Sequence, residues 1–130
     1  MTKRITRKDL SIIKRAQSLT HAGRGLLVFL STTPNAWVQI AGLAFVLYLG
    51  IYFSITKVEW LFVILASGLV LAAEAFNTAI EIDIDLTSPE YHPHARDTKD
   101  VAAGAVLLAS VTAGIIGVWI FAPYLARALY

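Results

Sequence analysis

Three stretches of this chain, about Ala36–Ile55, about Val58–Ile80 and about Val101–Pro123, run for some twenty residues each and carry only two charged side chains between them, Glu59 and Glu74. At 1.5 Å per residue such a stretch covers the ~30 Å of hydrocarbon in a bilayer. Backbone groups in lipid must be satisfied within the segment or by closing a barrel, so three separate runs of this length read as helices. With 57% hydrophobic residues and a mean hydropathy of +0.65, the chain is too apolar for a soluble domain of 130 residues. The sequence therefore predicts an all-α integral membrane protein, residues 1–130 forming a single membrane domain.

Basic residues predict how the spans are oriented. Seven of the eleven Lys and Arg residues precede the first span, Lys57 follows it, Arg96 and Lys99 follow the second, and Arg127 is near the end. The positive-inside rule places the N-terminus and the loop at about 82–99 in the cytoplasm. That arrangement fits a multi-pass protein of a cell membrane with its N-terminus and this loop on the cytoplasmic side. A formal charge of +2 is small and segregated, which argues against nucleic acid as a partner and for anionic lipid headgroups near the N-terminus. There is no Cys, so disulfide and thiolate chemistry are excluded. The first residues lack a compact apolar core followed by a small-residue cleavage site, so no signal peptide is expected.

Ahead of the first span, Ile12, Ile13, Ala16, Leu19, Leu26, Leu27 and Leu30 share one side of a helical wheel. This predicts an amphipathic interfacial helix over Leu10–Leu30 within the basic N-terminal region 1–30, weakened near Gly23 and Gly25. Ser31–Asn35 should end it, and Pro34 suits the first turn of the next helix. Trp37, Trp60, Tyr91, Trp119 and Tyr124 fall near the expected span ends, as interfacial anchors do. Beyond Pro89 and Pro93, Asp97 is the expected cap of the third span, with Asp100 in its first turn.

The segment Glu74–Asp100 holds seven of the nine acidic residues and begins inside the second span. Glu74, Asn77, Thr78, Glu81 and Asp85 fall within a sector of roughly 100° on a helix, and Asp83 points the opposite way. A carboxylate at the centre of a spanning helix costs about 2.5–3.5 kcal/mol on insertion scales, so Glu74 is a candidate functional group. Asn77 and Thr78 alone would read as helix-packing hydrogen bonders, and Glu81, Asp83 and Asp85 alone as a solvated helix end. Confinement of five polar groups to one face favours a site. Hard oxygen donors such as Glu74 and Glu81 suit Mg²⁺, which takes one or two carboxylates and completes its shell with water and phosphate. Lys99 is the nearby cation for a phosphate, and Asp100 beside it could orient it. A base, a metal site and a phosphate-binding cation are the parts of phosphoryl transfer. No GxxxxGK[ST] or GxGxxG occurs, so a P-loop or Rossmann cradle is excluded.

The segments EAFNTAIEIDID (Glu74–Asp85) and PEYHPxAxxxKDxAAGAVLL (Pro89–Leu108) resemble the signature of the prokaryotic diacylglycerol kinase family, which includes the undecaprenol kinases. The resemblance implies an ATP-dependent lipid kinase with Mg²⁺ as cofactor, acting on diacylglycerol or undecaprenol, and the loop stretches are somewhat closer to the undecaprenol type. It also implies a homotrimer with sites shared between subunits. By position it makes Glu74 the catalytic base with Asn77 beside it, and Glu81 a ligand of the metal. Asp85 becomes the next acidic position on that face. Glu90, Tyr91, His92, Lys99 and Asp100 become nucleotide contacts, and Lys14 falls near a basic family position. One departure stands out: where the family has ExNFRx[HE], this chain has Thr33-Pro34-Asn35-Ala36-Trp37-Val38-Gln39, so a neutral Thr33 replaces a metal-binding glutamate. A small proton-coupled transporter is the rival reading of an intramembrane Glu, although Glu74 lies near a span end rather than the midplane. A catalytically weakened scaffold of the same fold is the rival that Thr33 raises.

Overall fold

The computed structural model describes residues 7–129, with side chains from residue 14 onward, as four helices: α1 (Arg7–Thr32), α2 (Pro34–Tyr52), α3 (Lys57–Thr87) and α4 (Pro93–Leu129). The last three are long and apolar enough to cross a membrane. Their outward faces carry large apolar side chains such as Phe45, Leu65, Leu108 and Val118, all exposed on the isolated chain. Such a surface is stable only against lipid or other apolar partners.

α3 runs antiparallel between α2 and α4, and the bundle is locked at the end away from Glu74–Asp100. Thr56 and Glu59 form a reciprocal capping box that starts α3. The Tyr124 hydroxyl of α4 donates to Glu59 Oε2 at 2.8 Å. Val63 of α3, Ile120 and Phe121 of α4 and Ile55 of the connecting turn make the buried apolar cluster. Gly50 ends α2 against the Trp60 ring, where an added Cβ would lie 2.6 Å from a ring carbon. A side chain there would have to displace the Trp60 ring, so glycine is favoured by contact rather than by backbone angle. Ser54 turns the chain with φ 51° between α2 and α3.

At the opposite end lie the α1–α2 elbow and the α3–α4 loop. Thr33 is the single residue between α1 and α2 that is outside a helix. Pro34 follows at the start of α2, where its missing N–H costs nothing. The Trp37 indole N–H donates to the Leu30 carbonyl at 3.1 Å, satisfying one of the orphaned acceptors at the end of α1. Ala36, in the first turn of α2, is fully buried.

Several sequence expectations are corrected. α1 runs unbroken through Gly23 and Gly25 to Thr32, because isolated glycines cost a helix only about 1 kcal/mol each. α4 begins at Pro93, not after Asp97. Proline at the first helical position presets φ, and the His92 Nδ1 accepts the His94 backbone N–H at 3.3 Å, so His92 takes the cap that Asp97 was expected to supply. Asp97 sits one turn inside, 3.8 Å from His94. At its other end α4 passes through Pro123 and continues to Leu129.

Candidate active site

α3 does not stop where its apolar run ends. It continues to Thr87, carrying the polar face past the apolar stretch and against the elbow. Glu74 is 2% exposed, Asn77 8% and Thr78 6%, a row of buried polar groups in an otherwise apolar helix. The Asn77 amide donates to Glu81 Oε1 at 2.9 Å, one turn further on. No Lys, Arg or His pairs with Glu74 among the described residues. A buried carboxyl group without an ion-pair partner in a spanning helix is a candidate functional group.

Thr33 meets this row directly. Its hydroxyl lies 2.7 Å from that of Thr78, and the Thr78 hydroxyl also donates to the Glu74 carbonyl at 3.0 Å. A hydroxyl has one proton, so Thr78 spends its own on Glu74 and must accept from Thr33. Thr33 keeps only lone pairs to offer. Thr33 thus lies against this row and contributes a neutral oxygen to it.

Two clefts open at this end. One, of about 330 Å³, is lined by Thr32–Asn35 of the elbow and by Glu74, Asn77, Thr78, Glu81 and Asp85 of α3. The other, of about 420 Å³, lies under the α3–α4 loop and includes Asp85, Glu90, Tyr91, His92, Arg96, Lys99 and Asp100. The structure thus divides the sequence candidates into two groups that share Asp85. With His92 Nδ1 engaged in capping, Nε2 is the ring nitrogen left for a ligand. Asp83 lines neither cleft. Lys14 is exposed on α1 and lines neither, nineteen positions and about 28 Å of helix from Thr33.

The expected pairing of Lys99 with Asp100 is also corrected. The Lys99 ammonium bonds Asp85 across the two helices, and Asp100 instead lies 3.6 Å from Arg96, four residues back on α4. Adjacent residues on a helix point about 100° apart, which prevents Lys99 and Asp100 from facing one another. Arg96 in the cleft wall and the Thr33–Thr78 contact were missed in the sequence. The i, i+4 spacing to Asp100 was the signal available for Arg96.

The donor set fits Mg²⁺. Each polar side chain around the smaller cleft offers an oxygen acceptor, including an Asn77 Oδ1 that is buried without a hydrogen-bond partner. Among the described residues no three acidic, His or Cys side chains are grouped tightly enough to hold an ion alone. An ion there would need water and nucleotide phosphate to complete its shell, the usual situation for Mg²⁺.

Membrane-crossing helices, a buried unpaired carboxylate at the end of the apolar layer and an adjoining cation-bearing cleft define an integral membrane protein built to act where lipid meets water. The chain belongs to the prokaryotic diacylglycerol kinase family, whose sequence model it matches over residues 20–121, and it is a lipid kinase. It is 38% identical to an undecaprenol kinase of Bacillus subtilis over 109 residues, 84% of this chain and 89% of that protein. It is 36% identical to a diacylglycerol kinase of Helicobacter pylori over 125 residues, 90% and 98% of the two chains. A 60-residue stretch is 48% identical to a diacylglycerol kinase of Synechocystis, covering 45% of this chain and 34% of that one.

Proposed function

We propose that this lipid kinase transfers the γ-phosphoryl group of MgATP to the primary hydroxyl of a membrane lipid alcohol, diacylglycerol or undecaprenol. The observation that carries the reading is Glu74, a buried carboxylate one turn from Asn77 and Thr78 in the cleft that adjoins the loop. The lipid hydroxyl enters this cleft from the apolar side. Glu74 takes its proton as the lipid oxygen forms a bond to the γ-phosphorus, the bond from that phosphorus to the β–γ bridging oxygen breaks, and ADP departs. Glu90, Tyr91, His92 and Asp100 hold the nucleotide in the loop cleft, and Lys99 offsets phosphate charge. Glu81, with Asn77 and Thr33 beside it, would hold Mg²⁺, which when bound screens the phosphates from one another.

The basic residues favour an N-terminus and an α3–α4 loop on the cytoplasmic face of a bacterial membrane, where ATP is supplied. α1 lies in the interface on this reading. Three spans leave the acidic cleft without an enclosing wall, so the working unit is a homotrimer in which Lys14 of one subunit approaches the site of another. Incubation of the assembled protein with labelled ATP and each lipid in detergent micelles tests the function. Phosphorylation of one or both, with ATP consumption that depends on lipid, is expected. Incorporation into neither would refute the proposal.

Thr33 gives a second test. Thr33→Glu returns a charge beside Glu81 and should lower the Mg²⁺ concentration for half-maximal activity, at a cost of about 1 kcal/mol for the lost bond to Thr78. Titrating Mg²⁺ against initial rate measures it. An unchanged midpoint in an active variant would take position 33 away from the metal.

A further inference from the structure

Asp85 is the one residue that lines both clefts, and it stands on the wall between them. Its Oδ1 accepts from the Lys99 ammonium, fourteen residues away on the facing helix. Arg96, the other Lys or Arg of the loop cleft, is paired along its own helix with Asp100. Lys99 therefore differs from it in binding α3, and its side chain is the more enclosed member of its pair, 35% exposed against 68% for Asp85. Before any nucleotide arrives, the ammonium assigned to phosphate is already occupied by a carboxylate.

Magnitude decides which partner wins. An ion pair this open to water is weak, because solvent and salt screen it and two long side chains must be held still. A triphosphate carries several negative charges on adjacent oxygens and forms charge-assisted bonds with an ammonium. The exchange from carboxylate to phosphate is therefore downhill once a nucleotide occupies the loop cleft. It also releases Asp85, the residue common to that cleft and the one holding Glu74, from the facing helix.

We infer that Asp85 is a positioning residue that parks Lys99 on the wall between the clefts in the nucleotide-free chain and releases it to the nucleotide phosphates, so that nucleotide binding opens the loop cleft toward Glu74. This rests on the reading of Lys99 as the phosphate cation. Asp85 accordingly acts through Lys99 and opposes nucleotide binding rather than contributing a contact to it.

The chain has five lysines, so lysine labelled with ¹⁵N at the ammonium gives few signals, and Lys99→Arg assigns the one that matters. In bilayers, with aspartate carboxyls labelled with ¹³C, solid-state NMR should show the Lys99 nitrogen coupled to Asp85 without nucleotide. With Mg²⁺ and a non-hydrolysable ATP analogue, the coupling should move to ³¹P. Calorimetry on the same samples should find the analogue bound about two- to fivefold more tightly by Asp85→Asn, and as in the parent chain by Asp85→Glu, which keeps the charge. A Lys99–Asp85 coupling that persists with analogue bound, or an Asp85→Asn variant that binds it no tighter, would overturn the inference while leaving the kinase reading in place. Failure of the parent chain to bind the analogue at all would overturn both.

Discussion

Glu74→Gln should lower lipid phosphorylation by roughly 10²–10⁴-fold, the range attributed to a positioned general base. The amide keeps the volume of the carboxylate, so packing around a side chain only 2% exposed is preserved. Stability should hold or rise, since a buried polar side chain without an ion-pair partner is a cost to the fold and not a support. Thermal unfolding and size-exclusion profiles like those of the parent, together with collapsed turnover, would separate chemistry from assembly. Activity within threefold of the parent would remove Glu74 from the reaction.

The second large effect is a contrast between two carboxylates two residues apart. Glu81 faces the cleft and accepts from Asn77, while Asp83 points away on the other side of α3. Glu81→Gln should raise the Mg²⁺ concentration for half-maximal activity at least tenfold, because the ion loses a charged oxygen where few are available. Asp83→Asn should stay within twofold of the parent. Both are read from Mg²⁺ titrations of initial rate at saturating ATP, and equal shifts would contradict a site confined to one face.

These contrasts were legible in the sequence because helical periodicity is a local property. Glu74, Asn77, Thr78, Glu81 and Asp85 needed only a continuous helix to fall on one face, and α3 is continuous from Lys57 to Thr87. The spans were legible for a similar reason, since uncharged length is counted along the chain. Apart from Arg96, whose i, i+4 partner was a local signal, what escaped depended on contacts between distant residues or on an uncommon cap. Thr33 and Thr78 are forty-five positions apart, and Lys99 reaches Asp85 only because the loop returns α4 alongside α3. Asp97 looked like the start of α4 because aspartate is a favoured cap, whereas the imidazole of His92 performs that task before a proline.

The one-residue joint between α1 and α2 makes Thr33 a pivot as well as a site residue. Its φ of −111° and ψ of 98° set the direction in which all 26 residues of α1 leave the membrane bundle. At 1.5 Å per residue α1 is a lever about 39 Å long, so a turn of about 10° at the pivot sweeps its far end through about 7 Å. The same pivot is tethered to Thr78 beside the proposed base. Any reorientation of the N-terminal arm about this joint therefore also moves the hydroxyl that meets Thr78, beside the row of groups around Glu74.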